Sequence, residues 1–234
     1  MATITGAGFE TTASVLRLVF YYIFSNQEIL RRLRAEIDMV KGDGDAVLEI
    51  KTLEQLPYLT SVIMEGMRLS PAIGSRMARI APDRDIFYGD FRIPAGTPVG
   101  MTTILMHTDE TLYPTPMSFN PDRWMDFDVR RKLDKTYAPF SRGTRICLGM
   151  QYVNLSLPFV SSFAIIPALL THLISLSSLA WAEMYLTISH VIQLFDFEFE
   201  DVEAGDFEME SDQFIIGTKG NAVLNGSVIL RKPE

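Results

Sequence analysis

The sequence predicts a mainly α-helical protein with a small β region. Three observations predict it. Apolar residues recur at helical spacing or in unbroken runs through residues 14–24, 26–41 and 53–69. Residues 76–100 are strand-like and interrupted by turn signals. Hydrophobic residues make up 47% of the 234 residues against 21% charged, enough to bury a core. The length suits about one to two domains.

Residues 14–24 are apolar with few breakers, and residues 26–41 are amphipathic, with Ile29, Leu30, Leu33 and Ile37 sharing one face. Gly42, Asp43, Gly44 and Asp45 signal a loop. Residues 53–69 read as a helix with Pro57 near its start and Ser70-Pro71 ending it. Within 76–100, Tyr88-Gly89-Asp90 and Ile93-Pro94-Ala95-Gly96 mark short hairpins. The prolines at 114, 116 and 121 predict a meandering loop over 113–121. Residues 179–199 return to helix and then strand. Nine acids lie within 196–212, where a solvated hairpin or loop is expected.

The net charge of −8 leaves no basic face for tracking phosphates, so a nucleic-acid partner is excluded. One cysteine excludes an internal disulfide framework and a Cys-rich zinc module. Residues 1–14 hold no Lys or Arg and do not resemble a targeting signal. Residues 146–182 hold no Asp, Glu, Lys or Arg. That run is long enough to span a bilayer, but Pro158, Pro167, His172 and several serines interrupt it.

Cys147 lies in Phe140-Ser141-Arg142-Gly143-Thr144-Arg145-Ile146-Cys147-Leu148-Gly149. Two readings of a lone cysteine are open: a small buried hydrophobe, or a ligand. Its setting favours the ligand. Gly143 and Gly149 permit tight turns, and Arg145 could neutralise an anion. A helix starting after Cys147 would aim N–H groups at the sulfur and favour thiolate, which suits a haem iron.

The chain resembles the cytochromes P450, and more narrowly the monooxygenases of filamentous-fungal secondary metabolism. The haem loop of that family, Phe-x-x-Gly-x-Arg-x-Cys-x-Gly, is matched at Phe140, Gly143, Arg145, Cys147 and Gly149. The resemblance implies that Cys147 is the axial ligand of haem b. Ala7-Gly8-Phe9-Glu10-Thr11-Thr12 resembles the middle of the family's central helix, where the acid and the Thr deliver protons, here Glu10 and Thr11. Taken alone, those residues read as an ordinary helix start. Glu65-Gly66-Met67-Arg68 matches the family's Glu-x-x-Arg pair, and Phe119-Asn120-Pro121-Asp122-Arg123-Trp124 supplies its partner Arg123. By spacing alone Glu65 and Arg68 are a surface pair; the resemblance implies a buried structural triad. Arg145 and Arg79 are implied as propionate contacts, with a solvated arginine as the other reading of Arg79. His107, in Met106-His107-Thr108-Asp109, also fits a family position near a propionate; the other reading is a hydrogen-bonded loop residue. In Phe214-Ile215-Ile216, a substrate contact and a core strand are both open.

The resemblance covers residues 4–151 and 179–231, so residues 1–234 read as a partial cytochrome P450 domain, its C-terminal half, interrupted by an apolar insertion at 152–178. It implies a haem-thiolate monooxygenase that hydroxylates or epoxidises an apolar small molecule. Electrons would come from NADPH through cytochrome P450 reductase at the cytosolic face of the endoplasmic reticulum membrane. The family's N-terminal half and membrane anchor have no counterpart here. The chain as written is therefore expected to be inactive, placed in the cytosol or held at a membrane through 155–178. The alternatives are a non-catalytic pseudogene remnant or gene-model fragment, or a membrane-associated binding fragment.

The insertion itself reads as a translated intron. Gln151-Tyr152-Val153 can be encoded with GTATGT, a fungal donor, Leu170-Thr171 with a branch-point-like string, and Ser178 with a terminal AG. The interval keeps the frame, and splicing would turn residue 151 into His and join it to Leu179. A membrane segment is the rival reading.

Overall fold

The computed structural model describes residues 2–41, 48–70, 72–150, 178–220 and 223–231. The loop signal at 42–45 and most of the 152–178 insertion lie outside the described residues. Helix α1 (Ala2–Ser25) carries the first apolar run. A single residue separates it from α2 (Gln27–Asp38), because the Asn26 side chain accepts from the N–H groups of Glu28 (3.0 Å) and Ile29 (3.3 Å) and starts a new helix. Ile29, Leu30, Leu33 and Ile37 are all buried, as their spacing predicts.

The helix expected over 53–69 is two helices, α3 (Ile50–Leu53) and α4 (Pro57–Leu69). Pro57 is the reason. It lacks an N–H and pushes Leu56 into extended backbone (φ −82°, ψ 107°), so a helix can begin at Pro57 but cannot run through it. Leu56 has no side chain able to cap α4. Glu36 of α2 does so instead, accepting from the N–H groups of Tyr58 and Leu59 at 2.8 Å each. Residues 58–68 of α4 are then buried without interruption. Helix α1 crosses α4 at Gly66, where an added Cβ would lie 2.2 Å from the Val19 Cγ2.

The hairpin predicted at Tyr88-Gly89-Asp90 is present, whereas the turn at 93–96 does not pair the strands on its two sides. Strand β1 (Arg79–Ile80) pairs antiparallel with β4 (Pro98–Val99), and β2 (Ile86–Tyr88) with β3 (Phe91–Ile93). Helix α5 (Thr103–His107) follows, then irregular backbone through 113–120, a 3-10 turn (Pro121–Trp124) and α6 (Phe127–Leu133). Helix α7 (Leu179–Leu194) leads directly into β5 (Phe195–Phe199). Arg34 of α2 fixes that junction, donating to the carbonyls of Ile192 (2.9 Å) and Phe195 (3.1 Å) and to Asp196 (2.7 Å).

The end of the acidic stretch forms the expected hairpin, while its start pairs with a distant strand. Strand β5 pairs with the distant β8 (Gly226–Leu230), and β6 (Met209–Gln213) forms a hairpin with β7 (Ile215–Thr218). Ile216 is buried in β7, which agrees with a core strand; Phe214 instead sits at the turn, exposed and with φ +73°. Helices α1, α2, α4 and α7 enclose the core, with Val19, Ile23, Leu33, Ile37, Leu59, Ile63, Ile188 and Ile192 fully buried. Among the described residues, no helix is long and apolar enough to cross a membrane.

Candidate functional site

Glu65 and Arg68 lie one turn apart on α4, and both side chains are fully excluded from solvent. Their surface-pair geometry is overridden by what packs over them. Arg68 donates to the Glu65 carboxylate through Nε and Nη2, both at 2.9 Å. Arg123 Nε donates to the same carboxylate at 3.1 Å, the Asn120 N–H at 2.9 Å and the Trp124 indole N–H at 2.8 Å. One carboxylate thus faces two guanidinium groups. The remaining arginine N–H groups go to the carbonyls of His107 (2.8 Å), Ser118 (3.2 Å) and Pro114 (3.2 Å). Burial of three charges is tolerable because each finds hydrogen-bond partners. The structure brings Glu65, Arg68 and Arg123 together and adds Trp124 and Asn120. Both added residues sit in the motif that supplied Arg123, and its aromatic end is the signal for the indole bond.

His107 departs from the propionate expectation. It is fully buried. The Ala138 N–H can only donate, and it points at His107 Nε2 (3.0 Å), so that nitrogen is unprotonated. The proton is on Nδ1, which donates to the Arg68 carbonyl (3.2 Å). Both ring nitrogens are occupied by backbone, and none is left for a carboxylate. Burial pushes the imidazole pKa down to about 4, helped by the Arg68 charge and opposed by the Arg68 carbonyl. The ring stacks on Tyr137, with centroids 5.4 Å apart and planes at 17°.

The Cys147 loop follows immediately. Ser141 (φ +63°) and Gly143 (φ +78°) both adopt left-handed backbone, which turns the chain back so that the Cys147 N–H donates to the Phe140 carbonyl at 2.9 Å. Gly149 lies beside the sulfur: a Cβ there would touch the Cys147 Sγ at 3.6 Å and the Ala180 Cβ at 4.0 Å, both ordinary contacts. Cys147 and Arg145 are exposed. Within the described residues only a 3-10 turn (Leu148–Met150) follows Cys147, and the long helix begins at Leu179. The Ser178 hydroxyl donates to the Gly149 carbonyl at 2.7 Å, bringing the start of α7 against the loop.

Helix α7 also reaches the other motif. Thr12 Oγ1 donates to Glu183 at 3.2 Å, and Ala180 beside the Cys147 loop lies three residues earlier on α7. The Gly8–Thr12 end of α1 and the Cys147 loop therefore flank the same end of α7. Gly8 faces open space, and Phe9 is 72% exposed. The Thr11 hydroxyl donates to the Ala7 carbonyl (2.7 Å), and Glu10 pairs with Arg17 at 3.4 Å. Arg79 is exposed and folds back on the carbonyls of Met77 (2.6 Å) and Ala78 (3.2 Å).

These residues fit a thiolate-ligated haem. The thiol is exposed on a backbone-anchored loop, and so is the arginine two residues before it. Among the described residues no group of three or more His, Cys, Asp or Glu gathers to hold a bare metal ion.

A sequence model of the cytochrome P450 family matches residues 1–157. The chain belongs to that family. It is 36% identical over 204 residues to the cytochrome P450 monooxygenase SAT11 of Stachybotrys chartarum, covering 87% of this chain and 34% of that protein. It is 36% identical over 213 residues to the tryptophan 6-hydroxylase fscE of Fusarium equiseti, covering 91% and 36%. It is 45% identical over 148 residues to the cytochrome P450 monooxygenase tndB of Aspergillus flavipes, covering 62% and 30%. The chain spans about a third of the length of the curated relatives it matches.

Proposed function

We propose that the chain carries the haem-thiolate centre of a monooxygenase that hydroxylates or epoxidises an apolar small molecule. The observation that supports this best is the loop from Phe140 to Gly149, which holds the Cys147 thiol outward beside an exposed Arg145. A haem b bound there would supply the redox iron for reducing dioxygen, with electrons drawn from NADPH through cytochrome P450 reductase. Cys147 would hold the iron as thiolate. Arg145 and Arg79 would release their present surroundings to meet propionates. Glu10 and Thr11 would hold and pass protons at a carboxylate and a hydroxyl, both on the end of α1 that shares α7 with the Cys147 loop. Phe214, exposed at its turn, is the residue of its segment free to meet an apolar substrate. Family membership supports placement at the cytosolic face of the endoplasmic reticulum membrane.

The test is a reduced carbon-monoxide difference spectrum of the chain expressed with a haem precursor, beside Cys147→Ser. A red-shifted Soret band that disappears in the variant is expected. No band, or a band that persists in the variant, overturns the assignment of Cys147.

A specific observation favours a second reading, that residues 152–178 are a translated intron. Gly149 and Ala180, on the two flanks of that segment, lie side by side: a Cβ added at Gly149 would be 4.0 Å from the Ala180 Cβ. Transcripts lacking these codons would support it. A genomic sequence without GTATGT at codon 151 overturns it.

A further inference from the structure

We propose that His107 is a positioning residue for Cys147, tying the start of the Cys147 loop to α4 through its two ring nitrogens. Arg68 and His107 hold each other. The Arg68 guanidinium donates to the His107 carbonyl (2.8 Å), while the Arg68 carbonyl accepts from His107 Nδ1 (3.2 Å). The two bonds run from opposite ends, and the ring has no freedom to flip without losing a buried bond. Tyr137 fixes the remaining coordinate. Its ring stacks on the imidazole, and its hydroxyl donates to the Met64 carbonyl of α4 at 3.0 Å. The imidazole thus presents Nε2 in a fixed place, and the Ala138 N–H docks there at 3.0 Å. Two residues later the Phe140 carbonyl accepts from the Cys147 N–H at 2.9 Å. The path from α4 to Cys147 is a chain of directional bonds: Arg68, His107, Ala138, the short link to Phe140, then Cys147.

This geometry needs a ring with one donor and one acceptor on adjacent sides. A protonated imidazole has two donors and would turn an N–H toward the Ala138 N–H. A phenylalanine would keep the stack on Tyr137 but leave the Ala138 N–H and the Arg68 carbonyl unmet. A glutamine can place a carboxamide oxygen toward Ala138.

The proposal rests on the reading of Cys147 as the working group only for its significance; its test needs no haem. Nitrogen-15 NMR of the full chain at pH 7 is expected to show a neutral His107 with the proton on Nδ1. A proton on Nε2 overturns the proposal without any mutation. In amide hydrogen exchange, His107→Phe is expected to lower protection at Ala138 and Cys147 about tenfold, the scale of one lost buried hydrogen bond. Tyr58 and Leu59, held by Glu36, serve as unaffected references. His107→Gln is expected to restore protection at both loop amides, and to return the alkylation rate of the Cys147 thiol toward that of the parent. Unchanged protection at Ala138 and Cys147 in His107→Phe overturns the proposal, as does a Gln variant that folds but does not rescue. Should His107→Phe fail to fold, the NMR tautomer and the Gln variant still decide. A Soret band with unchanged loop protection would sink this inference and spare the functional assignment; the reverse pattern would do the opposite.

Discussion

The Ser178 hydroxyl and the Gly149 carbonyl, 29 positions apart in the chain, are joined by a hydrogen bond of 2.7 Å. Ala180, the second residue of α7, packs next to the Cys147 loop.

Excising residues 152–178 removes Ser178 and this bond, but Ala180 lies beside Gly149 without it, so the flanks should stay where they are. With residue 151 as His, the variant is expected to gain helix per residue by circular dichroism, as the turn after Cys147 runs on into α7. Its urea midpoint should be no lower than that of the full chain. A lower midpoint would show that the flanks depend on the segment.

Glu65→Ala removes the carboxylate that faces both Arg68 and Arg123 in the buried cluster. Breaking a buried pair in this way costs about 3–5 kcal/mol, a large share of the stability of an ordinary domain. The variant is expected to unfold at much lower urea, or to be unfolded in buffer. A loss below about 1 kcal/mol would mean the cluster is far better hydrated than its zero exposure indicates.

Gly66→Ala tests the α1–α4 crossing. The new methyl would meet Val19 at a separation no real contact has, so α1 must shift or Val19 must turn. Overpacking of this kind costs about 1–3 kcal/mol. The paired variant Gly66→Ala with Val19→Ala should recover part of that loss in denaturant unfolding, which a propensity effect of alanine in a helix could not explain.

Glu36→Ala strips α4 of its cap. A loss of about 1–2 kcal/mol is expected, with Glu36→Gln milder because the amide oxygen still accepts one N–H. Chemical denaturation measures both.

His107 makes stability depend on pH, and the sign follows from its lowered pKa. The unfolded imidazole titrates near 6.5 and the folded one near 4. Between these values the unfolded chain binds more protons, so stability rises with pH; the contribution is complete above 6.5 and lost as pH falls through 4. The full difference is about 3 kcal/mol. The charged groups around the ring are Arg68 on α4 and, beyond it, Glu65 and Arg123, with Tyr137 and Tyr113 neutral in this range. Urea unfolding across pH 4–7 should show this component in the parent and lack it in His107→Phe.

The sequence made some of this legible and hid the rest for physical reasons. The spacing around Cys147 and the face formed by Ile29, Leu30, Leu33 and Ile37 are local patterns, and they survive into the structure. The sequence places Pro57 near a helix start; it is the start, because its ring denies the helix a preceding turn. Spacing alone makes Glu65 and Arg68 a surface pair, since nothing in one helix announces what will cover it. The sequence leaves two readings of His107 open. The hydrogen-bonded one describes it, because the approach of Ala138 is set by the tertiary fold. The pairing of the acidic stretch with β8 was hidden for the same reason: its partner strand lies about 30 residues away.

The Glu65 carboxylate also bears on the order in which the chain condenses. Its neighbour Arg68 is at hand as soon as α4 forms, but Asn120, Arg123 and Trp124 arrive from more than 50 positions downstream. Until they do, the ion pair must stay hydrated, and α4 cannot be fully desiccated on that side. Refolding monitored by Trp124 fluorescence should therefore lag behind helix formation followed by circular dichroism. Such a lag would mean that Trp124 closes over the carboxylate last, with the expulsion of water from one glutamate as the final commitment of the fold.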